Sequence, residues 1–373
     1  MKKSTYFWPH LALALSLSLS GAIAQDKPRD PYVKKSESKR SQDNAHYNLV
    51  FSYEFIQIPK SELDTWQLEG KVSGDEMRSR VQKLVGDGKA SIVESSFFPS
   101  RSGQRAKLES NIEFRYPTTH DKLKIDPNGP GFPGMFAVKN CGLTVEVDAV
   151  LSAGMQEMNF QHSVNRTAYL GENPIQRRDG NRVLETDVLH PIFGTQEDVT
   201  GMQLRLEEYR FCGLFTPLDT GKRESHRTAL FLRPGVHAVN ALELTGTDPS
   251  EVEVRLHWVQ VTSEDWQNWI YDQKMADVPE RAWPQVKKWV SEKKAGLLQT
   301  LALRAPSGAR TRNASQEEQA YVVEYEAPES LGGKAVPVVV EKRNSGFLTE
   351  LDPVIGAGSG IVDVNLNPEW VHR

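Results

Sequence analysis

The sequence predicts an α+β chain, mainly antiparallel β with one helix per unit, arranged as two tandem units over residues 47–246 and 247–373. Three observations predict it. Short runs rich in β-branched and aromatic residues alternate with turn residues. Each half carries one apolar stripe at helical spacing. The two halves also resemble each other at a nearly constant offset.

From the N-terminus, Lys2 and Lys3 precede the apolar stretch Leu11 to Leu19, and Ala22-Ile23-Ala24 stands just before Gln25 and Asp26. A positive end, a short apolar middle and an A-x-A site make residues 1–24 an expected signal peptide. The run is too short and too rich in Ser for a membrane anchor. Residues 25–46 hold mostly charged and polar side chains, too little apolar surface to offset the entropy of ordering, so a disordered charged tether is expected.

The self-similarity appears in three windows. Phe55-Ile56-Gln57-Ile58 matches Trp258-Val259-Gln260-Val261, and Trp66 matches Trp269. Val81, Lys83, Val85, Lys89 and Ala90 match Val286, Lys288, Val290, Lys294 and Ala295, and Ser102-Gly103 matches Ser307-Gly308. Asn140, Gly142, Glu146 and Asp148 recur as Asn344, Gly346, Glu350 and Asp352. Positions apolar in both copies are expected core: Phe55/Trp258, Ile58/Val261, Leu84/Trp289, Val85/Val290 and Val147/Leu351. Gly142/Gly346 is an expected backbone requirement.

Each unit reads in the same order. Val50 to Ile58 predicts a strand. Ser73 with Glu76 resembles a capping box; Met77, Val81, Leu84 and Val85 form a stripe; Gly86 and Gly88 supply the stop, so a helix is expected over 74 to 86. Pro279 and Pro284 stand near the start of its counterpart. Strands follow at Ala90 to Glu94 and Ala106 to Tyr116 around a turn at Ser100 to Gln104. A hairpin follows, Leu143 to Asp148 turning into Met155 to Val164, and it is repeated at Phe347 to Ile355 and Ile361 to Leu366. Residues 166 to 246 have no counterpart before Arg373. They are expected to hold a polar loop and strands at Gly201 to Leu206, Tyr209 to Phe215 and Thr228 to Leu232.

The order of Phe55-Ile56-Gln57-Ile58, the turn Asp87 to Ala90, Ser95 to Arg105, Glu113 to Thr118 and Gly142 to Val147 resembles the C-terminal domain of secretins, the ring-forming outer-membrane proteins of type II and III secretion and type IV pilus systems. The chain is similar to two tandem, diverged secretin-like repeats, the second shorter. The resemblance implies a non-enzymatic exported protein of the periplasm or outer membrane. Its partner would be protein: itself, or a secretion- or pilus-type envelope complex. Two departures stand out: Cys212-Gly213 replaces the family's glycine pair, and a charged tether precedes the domain.

The residues themselves narrow the chemistry. A net charge of -4 with basic residues scattered among acidic ones gives no field for nucleic acid. The His residues form no HExxH or close pair, and Gly356 to Gly360 lacks a P-loop Lys, so no catalytic, metal or cofactor residue is assigned. Strands that enter a membrane leave too faint a trace to be assigned either way.

Cys141 and Cys212 are the only cysteines. An oxidising compartment allows a disulfide between them; two buried thiols on separate strands are the alternative. Of the tryptophans between 258 and 289, the repeat assigns Trp258, Trp266, Trp269 and Trp289 to core. Trp283 is left as the candidate partner anchor. The rival function is an exported hydrolase or glycan-binding protein with a site between the units.

Overall fold

The computed structural model describes residues 11–18, 46–68, 73–121, 132–179, 182–239, 251–326, 335–356 and 360–372. The signal peptide lies outside them except for Leu11–Ser18, and the tether except for its last residue, His46.

The elements run β1 (Leu11–Ser18), β2 (His46–Pro59), α1 (Lys60–Leu68), α2 (Gly74–Gly86), β3 (Ser91–Arg101), β4 (Ala106–Pro117), β5 (His120–Asp121), β6 (Phe132–Pro133), β7 (Phe136–Leu151), β8 (Glu157–Asp179), β9 (Arg182–Arg205), β10 (Arg210–Phe215) and β11 (His226–Val239). Then come β12 (Glu251–Gln260), α3 (Ser263–Tyr271), α4 (Val278–Ser291), β13 (Gly296–Pro306), β14 (Thr311–Glu326), β15 (Val336–Ile355) and β16 (Val362–Val371). The pairings between these strands are antiparallel, and the fold is α+β, mostly antiparallel sheet.

Two three-layer stacks result. In one, the sheet β10-β11-β2-β3 has α1 and α2 on one face and the sheet β4-β7-β8-β9 on the other. The alternation of β2 explains this. Phe51, Tyr53 and Phe55 point into the core shared with Val145, Val147 and Phe160, while Ile56 and Ile58 meet Trp66, Val81 and Leu84 of the helices. Full burial of each such side chain is worth roughly 1.5–3 kcal/mol. In the other stack, β1-β12-β13 has α3 and α4 on one face and β14-β15-β16 on the other. Val252, Val254, Leu256 and Trp258 face Leu351 and Phe347, and Val259 and Val261 face Trp266, Val286 and Trp289.

Backbone detail recurs between the stacks. A bulge separates Phe55↔Glu94 from Ile56↔Ile92, and another separates Trp258↔Gln299 from Val259↔Leu297. Gly142 stands opposite Asn111 and Thr167; Gly346 stands opposite Gln316 and Val371. The Gly103 amide donates to Ala149 O at 2.8 Å, and that of Gly308 to Pro353 O at 2.7 Å. Ser102 Oγ and Ser307 Oγ each accept from the far strand, from Leu151 N and Ile355 N, at 3.0 Å.

The expected core positions are buried in both halves, with Val290 half-buried. The helix at 74 to 86 forms as read, its Ser73 Oγ accepting from Glu76 N at 3.1 Å. Two expectations are corrected. Each stack holds two helices, not one: α1 and α3 are nine residues each, too short for a periodic stripe, and only Leu63 and Trp66, or Trp266 and Ile270, mark their buried apolar side. The polar loop expected after residue 166 is strand, β8 continuing to Asp179 and β9 beginning at Arg182. Ala168 to Pro174 are half-buried or exposed, so burial imposes no apolar alternation on that stretch of β8.

The stacks touch at α3 and the turn that follows it, and again where β14 and β15 reach β4 and the segment before β7, with Tyr325 N donating to Gly134 O at 2.8 Å and Arg343 paired with Glu113. Gln82 Nε2 donates to Asn268 Oδ1 at 3.0 Å, and Glu207 accepts from Met275 N and Ala276 N at 2.7 and 3.0 Å. Val50 of β2 is buried in the same cluster as Val259, Trp266 and Ile270.

Candidate functional site

Two polar clusters lie inside the first stack. Tyr53 Oη is 3.0 Å from His162 Nδ1, and His162 Nε2 is 3.1 Å from Asp198 Oδ2, a chain joining β2 to β8 and β9 through the core. Burial, reinforced by the charges of Cys212 and Asp198, holds the Tyr53 phenol well above its ordinary pKa. Burial also lowers His162, against the opposing pull of Asp198. A phenol held protonated beside a neutral imidazole, with Phe51, Phe98 and Phe160 around them, is a cross-link between sheets and not an activated nucleophile.

The second cluster is an ion pair. Arg78 Nε donates to Glu54 Oε2 at 2.5 Å, with both side chains fully buried, and the guanidinium lies 4.7 Å from the Tyr271 ring centre and 5.5 Å from that of Tyr209. Sequence separations of 24 for this pair, and of 109 and 36 for the Tyr53–His162–Asp198 chain, put both clusters beyond reach of local motifs. A signal was present: Glu54 interrupts an apolar run, and Arg78 falls on the apolar side of its helix.

A polar groove of about 610 Å³ runs over β4, β7, β8 and β9 and is bounded by Arg343 of β15. Its lining is mostly Asn and Thr, and its one carboxylate, Glu113, is paired with Arg343. The close carboxylate pair that glycoside hydrolysis uses is not part of that lining. Among the described residues no group of three or more His, Cys, Asp or Glu is placed to hold a metal ion.

The remaining features are edges and exposed apolar surface. Gly142 and Gly346 mark where each second sheet leaves its core: burial alternates C-terminal to them and is lost N-terminal to them. The protruding ends expose Ile112, Val138 and Tyr169 in one stack and Val336, Val338 and Val340 in the other. Among the described residues, the ladders of β9 and β16 each pair with one neighbouring strand only, which leaves rows of backbone groups available to another strand, whereas β14 is bridged at Glu324 to Met135. No helix among the described residues is long and apolar enough to cross a membrane, which says nothing of strands.

The candidate residues from the sequence fall in separate places. Cys141 on β7 and Cys212 on β10 are free thiols. They belong to different sheets. Burial pushes the Cys212 thiol up to about 12, and burial also raises Cys141. Trp283 is half-buried on α4, its ring stacked on His257 of β12 at 4.6 Å with Lys287 Nζ 5.8 Å from its centre.

No protein-family model matches the sequence, and no curated protein matches it either. Among solved structures it is similar to the type II secretion system secretin GspD of E. coli K12, at 8% identity and a TM-score of 0.27 over 53% of this chain and 52% of that one. It is also similar to the type IV competence pilus secretin PilQ of V. cholerae, at 12% identity and a TM-score of 0.28 over 53% and 62%. A third is the InvG secretin domain β-barrel of the Salmonella SPI-1 injectisome, at 9% identity and a TM-score of 0.29 over 64% and 91%. The match spans about half the length of the first of these. At such TM-scores the superpositions carry no functional weight.

Proposed function

We propose that this is a non-enzymatic exported envelope protein, built from two diverged copies of one secretin-like unit, that acts by self-association or by docking on a secretion- or pilus-type assembly. The units are residues 47–246 and 247–373. The paired bulges, the matching registers of Gly142 and Gly346 and the twin serine-capped turns support a shared origin, because an offset of 203 to 205 residues relates them all.

The observation that carries the docking reading is the pair of protruding sheet ends, where exposed apolar side chains accompany open strand edges. Isolated, such edges invite strand addition and such patches invite burial against a protein or membrane surface. The enclosed polar clusters support the non-enzymatic half of the reading, since Tyr53, His162 and Asp198 bond to one another and Arg78 pairs with Glu54 inside the first stack.

Tagged protein is expected in the outer-membrane fraction or in a periplasmic complex, and as an oligomer or heteromer by sizing in mild detergent. A strict monomer, absent from membranes and bringing down no envelope component, would remove the reading.

A further inference from the structure

We infer that the outer edge of β12 is a strand acceptor, occupied in the exported protein by an extended segment of another protein with bulky aliphatic residues at alternate positions. The inference rests on the docking reading above and names the edge and the chemistry of its occupant.

In the structure that edge is covered by β1, antiparallel, with Leu11↔Gln260 and Ser18↔Glu253 at the ends of the ladder. Leu13, Leu15 and Leu17 stand opposite Trp258, Leu256 and Val254, all three buried between the sheets of the second stack. The first stack closes the corresponding edge of β2 with β11, where Leu230 stands opposite Phe55 and Leu232 opposite Tyr53. Phe55 and Tyr53 are the counterparts of Trp258 and Leu256 at the offset of 203. Leucine therefore occupies the same two register positions on both edges, although β1 and β11 come from unrelated parts of the chain.

The strand that fills the second edge lies in the segment expected to be cut off after Ala24. Among the described residues no other strand pairs with that side of β12. Processing would uncover a row of unpaired backbone groups and the flank of Trp258, Leu256 and Val254, surface that water covers poorly and a strand covers well. Trp283 stacks on His257, a β12 residue whose register partner in β1 is Ala14, so the edge carries its own aromatic wall. Alternate bulky residues give specificity and the ladder gives affinity.

The test uses protein purified from the envelope after export, its N-terminus fixed by mass. The probe is a fluorescent peptide carrying the 11–18 sequence with a lysine tail for solubility. Its control has the same composition with the alternation broken. Saturable binding at least tenfold tighter than the control is expected. In a chain with Cys141→Ala, Cys212→Ala and Arg255→Cys, a peptide with cysteine in place of Ser16, the register partner of Arg255, should form a disulfide, and one with cysteine in place of Ala12 should not.

Equal binding of both peptides, or cross-linking without regard to register, overturns the inference. So does an exported protein that retains Leu11–Ser18. If these occur while the protein still fractionates with an envelope assembly, the docking reading survives without this edge. If register-specific binding is found for a protein that joins no assembly, the edge stands and the docking reading falls.

Discussion

His257 and Trp283 stack ring on ring at 4.6 Å, at the two positions where the first stack holds the ion pair of Glu54 and Arg78. A strand residue facing a helix residue thus carries a buried salt bridge in one stack and an aromatic contact in the other. The first version is deep in the molecule, under Tyr209 and Tyr271; the second is half-buried on the central strand of its sheet.

Removing one member of the buried pair leaves an uncompensated charge. Arg78→Met is expected to cost about 3–5 kcal/mol of stability, and adding Glu54→Gln in the same chain should recover much of the loss. Urea unfolding of the wild type, both singles and the double would measure the coupling. Additive losses would contradict it.

Gly142 and Gly346 have φ of 144° and 120°, and a Cβ there would lie 2.1 Å from Ser110 O or 2.2 Å from Ser315 O. Alanine at either site is expected to destabilise by roughly 1–3 kcal/mol from backbone strain alone, with further loss from the clash. Denaturation midpoints falling by similar amounts for both variants would fit one shared role.

His162 titrates below its ordinary pKa because burial outweighs the attraction of Asp198. The unfolded chain therefore binds this proton more readily than the folded one. The group leaves stability unchanged above its unfolded pKa of about 6.5 and reduces it as the pH falls from there through the lowered folded value. Chemical-denaturation midpoints measured from pH 7.5 to 5 should decline, and His162→Gln should flatten that slope while lowering the plateau through loss of the Tyr53 and Asp198 bonds.

Mass measurement without reductant is expected to find two free thiols. At pH 8 iodoacetamide should modify Cys212 slowly until denaturant is added, because the thiolate is suppressed by burial. A mass two hydrogens lighter, with both sites resistant after unfolding, would establish the bridge that the structure lacks.

Much of the scaffold was legible before any coordinates. Ser73, the stripe through Val81 and Val85, and the turn glycines place α2 because capping and helical period are local properties. The apolar matches of Phe55 with Trp258 and of Val147 with Leu351 pointed to core, and all four are buried. Function was less legible: of the residues singled out, Trp283 lies beside the proposed acceptor edge, while Cys141 and Cys212 do not meet.

What the sequence by itself determined, then, is the alternation of strand and helix, the residues that turn inward, and the positions of the turns, all governed by forces acting within a few residues of each other. Only the tertiary structure decided that Tyr53 meets His162, that Glu54 meets Arg78, that the protruding hairpins run on as strand beyond Gly142, and which edges stay open. Those outcomes depend on low-dielectric burial and on strand pairing between residues tens to hundreds of positions apart, and no local pattern encodes such a distance.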